Sequence, residues 1–252
     1  MLLTRDRPWI VPYLTAGYPT AGETGDLLLA LEEGGADAVE LGLPFSDPLA
    51  DGPVIQAASQ TALAGGMTLA GALELVAAFR ARSALPLLLM GYLNPMLAYG
   101  AERFFRDAAE AGADGLIVPD LPPEEAGPFH APARAAGLEW VFLAAPTSSD
   151  ERLARIDRLS TSFNYCVSLA GVTGARERLP VTLEAYLARA ASAMAKPFVV
   201  GFGISRAAHV RRVAPPAAGV VVGSALLRAL GEARNRGEGR GRATALVREL
   251  RG

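Results

Sequence analysis

Two kinds of residue in this chain have the type and placement to do chemistry: carboxylates at the ends of apolar runs, and glycines clustered late in the sequence. Glu40 stands between Val39 and Leu41 inside an apolar run. A carboxylate buried there loses hydration, its pKa rises, and it becomes suited to general acid–base work. Position alone leaves a second reading open: a structural glutamate paired with an arginine at a strand end, since ion pairs also perturb a pKa. Asp47 and Asp51 follow in Pro44-Phe45-Ser46-Asp47-Pro48-Leu49-Ala50-Asp51-Gly52-Pro53. The prolines stiffen this segment, so its carboxylates are positioned. Asp51 is equally well placed to cap the helical stretch that starts after Gly52.

The glycines fall at three points: Gly171-Val172-Thr173-Gly174, Gly201-Phe202-Gly203-Ile204-Ser205, and Gly223-Ser224. Glycine lets backbone N–H groups approach an anion closely, and a helix start at Ser224 adds its dipole, so these points predict a phosphate site. Tyr13, Tyr92, Tyr165 and Phe202 sit at the ends of apolar runs in a chain with only 7% aromatics. Together they suggest a flat, apolar ligand portion. The single lysine, Lys196, precedes an apolar run and so lies at its wrong end for Schiff-base chemistry. His130 and His209 fall in helical stretches, which argues against a histidine-based metal site. Cys166 lies inside an apolar run and reads as a core residue.

These groups need elements to hold them. Eight apolar runs of strand length recur: Trp9–Leu14, Ala36–Leu41, Pro86–Met90, Gly115–Val118, Leu138–Leu143, Phe163–Val167, Pro197–Val200 and Gly219–Val222. Each is short and nearly continuous, as strands buried on both faces are. Helical stretches alternate with them, and Gly34-Gly35, Gly112 and Gly137 mark helix ends. Eight strands alternating with helices in 252 residues predict an α/β fold, a (β/α)8 TIM barrel forming a single domain over 1–252. The arginine- and glycine-rich stretch Gly231–Arg242 reads as a solvated loop before a last helix, Ala243–Leu250.

Composition sets the outer bounds. Half the residues (51%) are hydrophobic, enough for a large core, and the formal charge of −2 gives no reason to expect nucleic acid or an acidic membrane. One cysteine allows no internal disulfide, and no apolar run approaches the ~18 residues of a membrane span. A soluble, cytoplasmic protein is expected. From the residues alone this is a metal-free barrel that binds a phosphate ester with a flat apolar part and moves protons with carboxylates.

The run Glu40-Leu-Gly-Leu-Pro-Phe-Ser-Asp-Pro-Leu-Ala-Asp-Gly-Pro53 resembles the signature of the tryptophan synthase alpha subunits. Tyr13-Leu14-Thr15-Ala16-Gly17, Asn94-Pro95, Pro119-Asp120-Leu121-Pro122, Gly171-Val172-Thr173-Gly174 and Gly201-Phe202-Gly203-Ile204 extend the resemblance over the chain. It implies a lyase of tryptophan biosynthesis that cleaves indole-3-glycerol phosphate to indole and glyceraldehyde 3-phosphate by a retro-aldol step. Glu40 and Asp51 match the catalytic carboxylates, the first handling protons and the second holding the indole N–H. Tyr165 would line the pocket, and Gly174, Gly203, Gly223 and Ser224 would hold the phosphate. The loop from Leu169 to Arg178 would be a lid whose Thr173 meets Asp51. Leu169 stands where some relatives carry arginine, so lid anchoring would differ.

The resemblance also implies a beta-subunit partner in an α2β2 complex, which receives indole through a tunnel. Asp47, Pro48, Asn94 and Pro95 match its partner-facing rim. Pyridoxal phosphate would belong to that partner, leaving no cofactor for this chain. Many relatives begin with a helix under the barrel, whereas about eight residues precede the first strand here, fewer than the ~12–15 of a marginal isolated helix. The rival readings are another phosphate-binding barrel such as a sugar-phosphate isomerase, a non-catalytic binding subunit, and a nucleic-acid module resting on the arginine-rich tail.

Overall fold

The computed structural model describes residues 7–167, 182–201 and 203–252. Strands β1 (Trp9–Thr15), β2 (Val39–Gly42), β3 (Leu87–Met90), β4 (Gly115–Ile117), β5 (Glu139–Trp140), β6 (Leu143–Ala144), β7 (Asn164–Val167), β8 (Phe198–Gly201) and β9 (Gly219–Val222) alternate with helices. All pair in parallel, in the order β5-β4-β3-β2-β1-β9-β8-β7-β6. The two ends of that order are neighbours in sequence, so the sheet curls round and closes on itself.

The run Leu138–Leu143, expected as one strand, is where it closes. Val141 N–H donates to Leu116 O of β4 at 3.0 Å, and Phe142 O accepts from Tyr165 N–H of β7 at 3.1 Å. The amides of Trp140 and Phe142 go instead to hydroxyls, Thr161 Oγ1 at 2.7 Å and Ser160 Oγ at 3.1 Å. A ladder interrupted by side-chain acceptors breaks into two short pieces. β5 and β6 are therefore halves of one stave, and the barrel has the expected eight.

Strands buried on both faces account for the continuous apolar runs: every residue of β1, Trp9 to Thr15, is buried. The helix stops read from sequence are present. Gly35 and Gly112 take φ of 94° and 95°, the left-handed region that glycine enters without a Cβ clash.

The tail departs from expectation. The last helix begins at Arg236, not Ala243, and runs to Arg251. Asn235 caps it by accepting from Glu238 N–H at 3.0 Å, and Glu238 in turn takes Arg234 N–H at 3.1 Å and Arg242 Nη2 at 2.9 Å. Glycines at 237, 239 and 241 lower helix propensity by about 1 kcal/mol each. Cap, ion pairs and packing offset this. The helix lies so close to helix Ala21–Gly34 that a Cβ on Gly34 would stand 2.8 Å from Val247 Cβ.

That helix also ties the barrel's N-terminal end. Arg251 donates to Pro8 O at 2.8 Å, to Gly35 O at 2.6 Å and to the carboxylate of Asp37, which is 3% exposed. Asp37 also accepts Ile10 N–H at 2.7 Å. Among the described residues no single helix is long and apolar enough to cross a membrane. Removing Arg251 leaves a buried carboxylate short of a charge partner. Arg251→Ala is expected to cost about 3 kcal/mol of stability, read as a lower midpoint in urea unfolding with an unchanged slope.

Candidate active site

Glu40 sits on the inward face of β2, with Tyr13 of β1 and Leu88 of β3 as register partners. Its side chain is fully buried, and neither carboxyl oxygen has a hydrogen-bond partner among the described residues. No arginine pairs with it there, so the structural reading finds no support. Burial pushes its pKa well above the usual carboxylate range, because nothing compensates the lost hydration of the anion. Burial thus favours the protonated form of Glu40.

Asp51 is held by its own loop. Its N–H donates to Pro48 O at 3.0 Å, and its carbonyl accepts Gln56 Nε2 at 2.9 Å. Helix Pro53–Ala64 has Gly52 as N-cap with no side-chain bond, so the carboxylate of Asp51 is not used for capping. Instead Tyr92 Oη donates to Asp51 Oδ2 at 3.1 Å while accepting Ala50 N–H at 3.0 Å. Burial raises the Asp51 pKa to about 6 against the lowering effect of that tyrosine bond. The two carboxylates thus differ in environment: Asp51 keeps a hydrogen bond from Tyr92, whereas burial acts on Glu40 without such a bond among the described residues.

Two tyrosines repeat one device. Tyr13 on β1 lies beside Glu40 in register but leans over Gly42, two residues further along β2. Tyr165 on β7 leans in the same way over Gly201 of β8, where a Cβ would stand 2.5 Å from its hydroxyl. Only glycine leaves room for the ring there. Burial, with Asp51 and Glu40 adding repulsion, raises the Tyr13 pKa, and burial with Glu40 and Asp51 raises that of Tyr165. Both carboxylates therefore bear on both phenols.

Tyr13 and Tyr165 line a cavity of about 500 Å³, partly continuous with solvent. Its far side is Gly203, Gly223 and Ser224. Gly203 has φ of 62°, and Ser224 is the first residue of helix Ser224–Gly231 with Gly223 as N-cap. A helix start with unpaired N–H groups facing a cavity suits a phosphate. The apolar walls Ile55, Met90, Ile204 and Val221 were not singled out in the sequence, where nothing distinguishes them from other core residues. Thr173, Gly174, Leu169 and Phe202, the expected lid and part of the pocket, lie outside the described residues.

The chain is similar throughout to one family. The model described as tryptophan synthase alpha chain matches residues 1–251. The chain belongs to the tryptophan synthase alpha chain family. A relative so named from Roseiflexus sp. (strain RS-1) is 53% identical over 247 residues, covering 98% of this chain and 94% of the relative. One from Geobacter sp. (strain M21) is 49% identical over 227 residues, covering 90% and 85%. Among solved structures, a chain of the tryptophan synthase a2b2 complex from Pyrococcus furiosus superposes with a TM-score of 0.91 at 45% identity, covering 97% of this chain and 98% of that one. The family consists of lyases of tryptophan biosynthesis that cleave indole-3-glycerol phosphate.

Within the family frame, the remaining candidates separate. Asp47 and Asn94 are exposed and Pro95 is half-buried, whereas Pro48 is buried. The apolar group that the loop holds out is Leu49, 92% exposed, and Leu97 on helix Leu93–Tyr99 is 48% exposed. Sequence reasoning missed both; a leucine between Pro48 and Ala50 in a polar loop was the available signal. Asp120 accepts Leu93 N–H at 3.0 Å and so anchors that helix. Lys196 hydrogen-bonds the Asp157 backbone carbonyl and lies before β8, remote from the cavity. His130 packs its ring, tilted, against Trp140 and Phe142, and His209 is buried, its Nδ1 accepting Ser205 N–H at 3.3 Å. Cys166 is buried, its pKa pushed up to about 12 by desolvation.

An unpaired buried carboxyl is a standing cost to the fold. Glu40→Leu is expected to raise stability at neutral pH by about 1–3 kcal/mol, since it removes an unsatisfied polar group. Differential scanning calorimetry checks this; an unchanged or lower Tm would mean that Glu40 has a partner. The raised pKa of Asp51 makes its own contribution to the pH course in the wild type. The native state holds a proton that the unfolded chain releases, so stability declines as pH rises from 3.8 to about 6.

Proposed function

We propose that residues 1–252 form one barrel domain that cleaves indole-3-glycerol phosphate to indole and glyceraldehyde 3-phosphate, with Glu40 and Asp51 as its catalytic residues. The observation that carries this reading is the pair of buried carboxylates, Glu40 and Asp51, both close enough to act on the cavity-lining phenols Tyr13 and Tyr165. Protonated Glu40 gives its proton to the indole carbon that bears the glycerol chain. Asp51, ionised, holds the indole N–H and stabilises the positive charge that develops on the ring. The Glu40 carboxylate then takes the proton of the glycerol hydroxyl as the carbon–carbon bond breaks, which leaves an aldehyde and regenerates the acid. The indole packs against Tyr13, Tyr165 and Phe202, with Tyr92 holding Asp51 in place. Gly174, Gly203, Gly223 and Ser224 cradle the phosphate. Thr173 meets Asp51 when the lid over the cavity closes.

Proton transfer by carboxylates needs no cofactor in this chain. The partner is a beta subunit in an α2β2 complex, which carries pyridoxal phosphate and receives the indole. Leu49 and Leu97 extend the rim of Asp47, Pro48, Asn94 and Pro95 toward it. Exposed leucines at one rim are what an apolar interface centre requires. The reaction takes place in the cytoplasm, in keeping with a lone buried thiol.

Indole release from indole-3-glycerol phosphate tests the chemistry. Glu40→Gln is expected to fold, to bind the phosphate ester and to lose turnover by about 10²–10⁴-fold or more; retained turnover removes Glu40 from its role. In the wild type, kcat/KM is expected to fall as pH drops below about 6, where Asp51 takes up a proton and can no longer hold the N–H. Asp51→Asn is expected to lack that limb and to be slow at every pH. For the interface, Leu49→Asp is expected to weaken co-elution with a beta subunit by about tenfold in Kd while the isolated chain keeps its own rate. Wild-type affinity in the mutant would place the partner elsewhere.

A further inference from the structure

On the inward faces of β1 and β2, four residues form a two-by-two block: Tyr13 opposite Glu40, and Thr15 opposite Gly42 one step nearer the mouth. The Tyr13 ring crosses this block diagonally, so its hydroxyl lies against Gly42 on the mouth side of Glu40. Thr15, itself fully buried, donates from Oγ1 to Tyr13 Oη at 3.4 Å. That bond occupies a lone pair of the phenol and leaves its proton for another acceptor. The two Glu40 oxygens have no partner among the described residues. Tyr13 lines the cavity and Glu40 is fully buried, so a ligand meets the phenol before it meets the carboxyl.

Glu40 must give up its proton during the reaction, and the anion it becomes is then buried among apolar groups. Leu88 flanks it on β3. Among the described residues, the titratable groups bearing on the block are Tyr165 from β7, Asp51 from the loop after β2, and Tyr92, which acts on Tyr13. None of these is cationic. An anion there depends on a neutral donor, and the phenol oriented by Thr15 is such a donor.

We propose that Tyr13 is a positioning residue: its hydroxyl, aimed by Thr15, donates a hydrogen bond to the Glu40 carboxylate once Glu40 has protonated the substrate and turned toward the cavity. The inference rests on the reading of Glu40 as the proton donor. No proton leaves the phenol; it stabilises the carboxylate until that group recovers a proton from the glycerol hydroxyl.

The test is the pH dependence of kcat for indole release in Tyr13→Phe, Thr15→Val and Thr15→Ser, with wild type and Glu40→Gln alongside. Tyr13→Phe is expected to lower kcat about ten- to a hundredfold, the size of one charge-assisted hydrogen bond, with a much smaller change in KM. Activity needs protonated Glu40. Losing a donor to the ionised form raises the pKa of Glu40, so the alkaline limb of kcat moves to higher pH. Thr15→Val shifts it the same way by less, and Thr15→Ser restores the wild-type profile. A wild-type kcat and limb in Tyr13→Phe overturn the proposal. So does a lower kcat with the limb unmoved, which loss of packing alone would give. Turnover by Glu40→Gln would instead remove the underlying reading of Glu40, whatever Tyr13→Phe does.

Discussion

A carboxyl group fully buried inside the barrel, without a hydrogen-bond partner among the described residues, is the condition around which this structure is arranged. Glu40 occupies an inward position of β2 where a leucine would pack without penalty. Leaving a buried polar group unsatisfied costs about 1–3 kcal/mol, a large share of a net stability of about 5–15 kcal/mol. The surrounding barrel must supply that margin. It does so with eight staves buried on both faces and with a last helix that ties both chain ends to the barrel floor through Arg251, Asp37 and Pro8. What the fold tolerates in Glu40, the site uses as a poised acid.

Barrel closure gives Glu40 its neighbours. β1 pairs with β2 on one side and with β9 on the other, so the segment that carries Tyr13 stands between Glu40 and the Gly223–Ser224 turn. Glu40 and the Gly223–Ser224 turn are therefore separated by a single strand, though they stand 183 positions apart in sequence (223 − 40). The tyrosine-over-glycine device appears twice, at Tyr13–Gly42 and Tyr165–Gly201. In each case a parallel neighbour offers a glycine two residues mouthward. The ring fills that gap, and both tyrosines line the cavity.

Asp51 is governed by a different balance. It is set in a proline-rich loop whose backbone is pinned by its own turn, and its carboxylate is oriented by Tyr92 from the end of β3. The same phenol accepts from Ala50, next to exposed Leu49, and precedes the helix that carries Leu97. One hydroxyl thus joins the loop that holds out Leu49 and the helix that carries Leu97 to the Asp51 carboxylate. Burial and the Tyr92 bond oppose each other at Asp51, which is left raised to about 6, while burial alone raises Glu40.

The sequence by itself determined the staves, because strands buried on both faces must be apolar runs, and it determined the helix stops at Gly35 and Gly112, because only glycine enters that φ region cheaply. The run Glu40–Pro53 was enough to suggest the family and the two carboxylates. Tertiary structure decided the rest. The break between β5 and β6 depends on hydroxyls of Ser160 and Thr161, some 20 residues away, that replace ladder acceptors. The early start of the last helix depends on the Asn235 cap and on Arg236 and Arg240, which reach Gly22 O and Glu33 on the helix Ala21–Gly34 and offset the low propensity of its glycines. That Glu40 is unpaired, that Asp51 is held by Tyr92 and not used as a cap, and that Pro48 is buried while Leu49 stands out are all long-range outcomes. Burial and partnership are properties of the assembled barrel, and periodicity along the chain carries no record of which side chains meet across it.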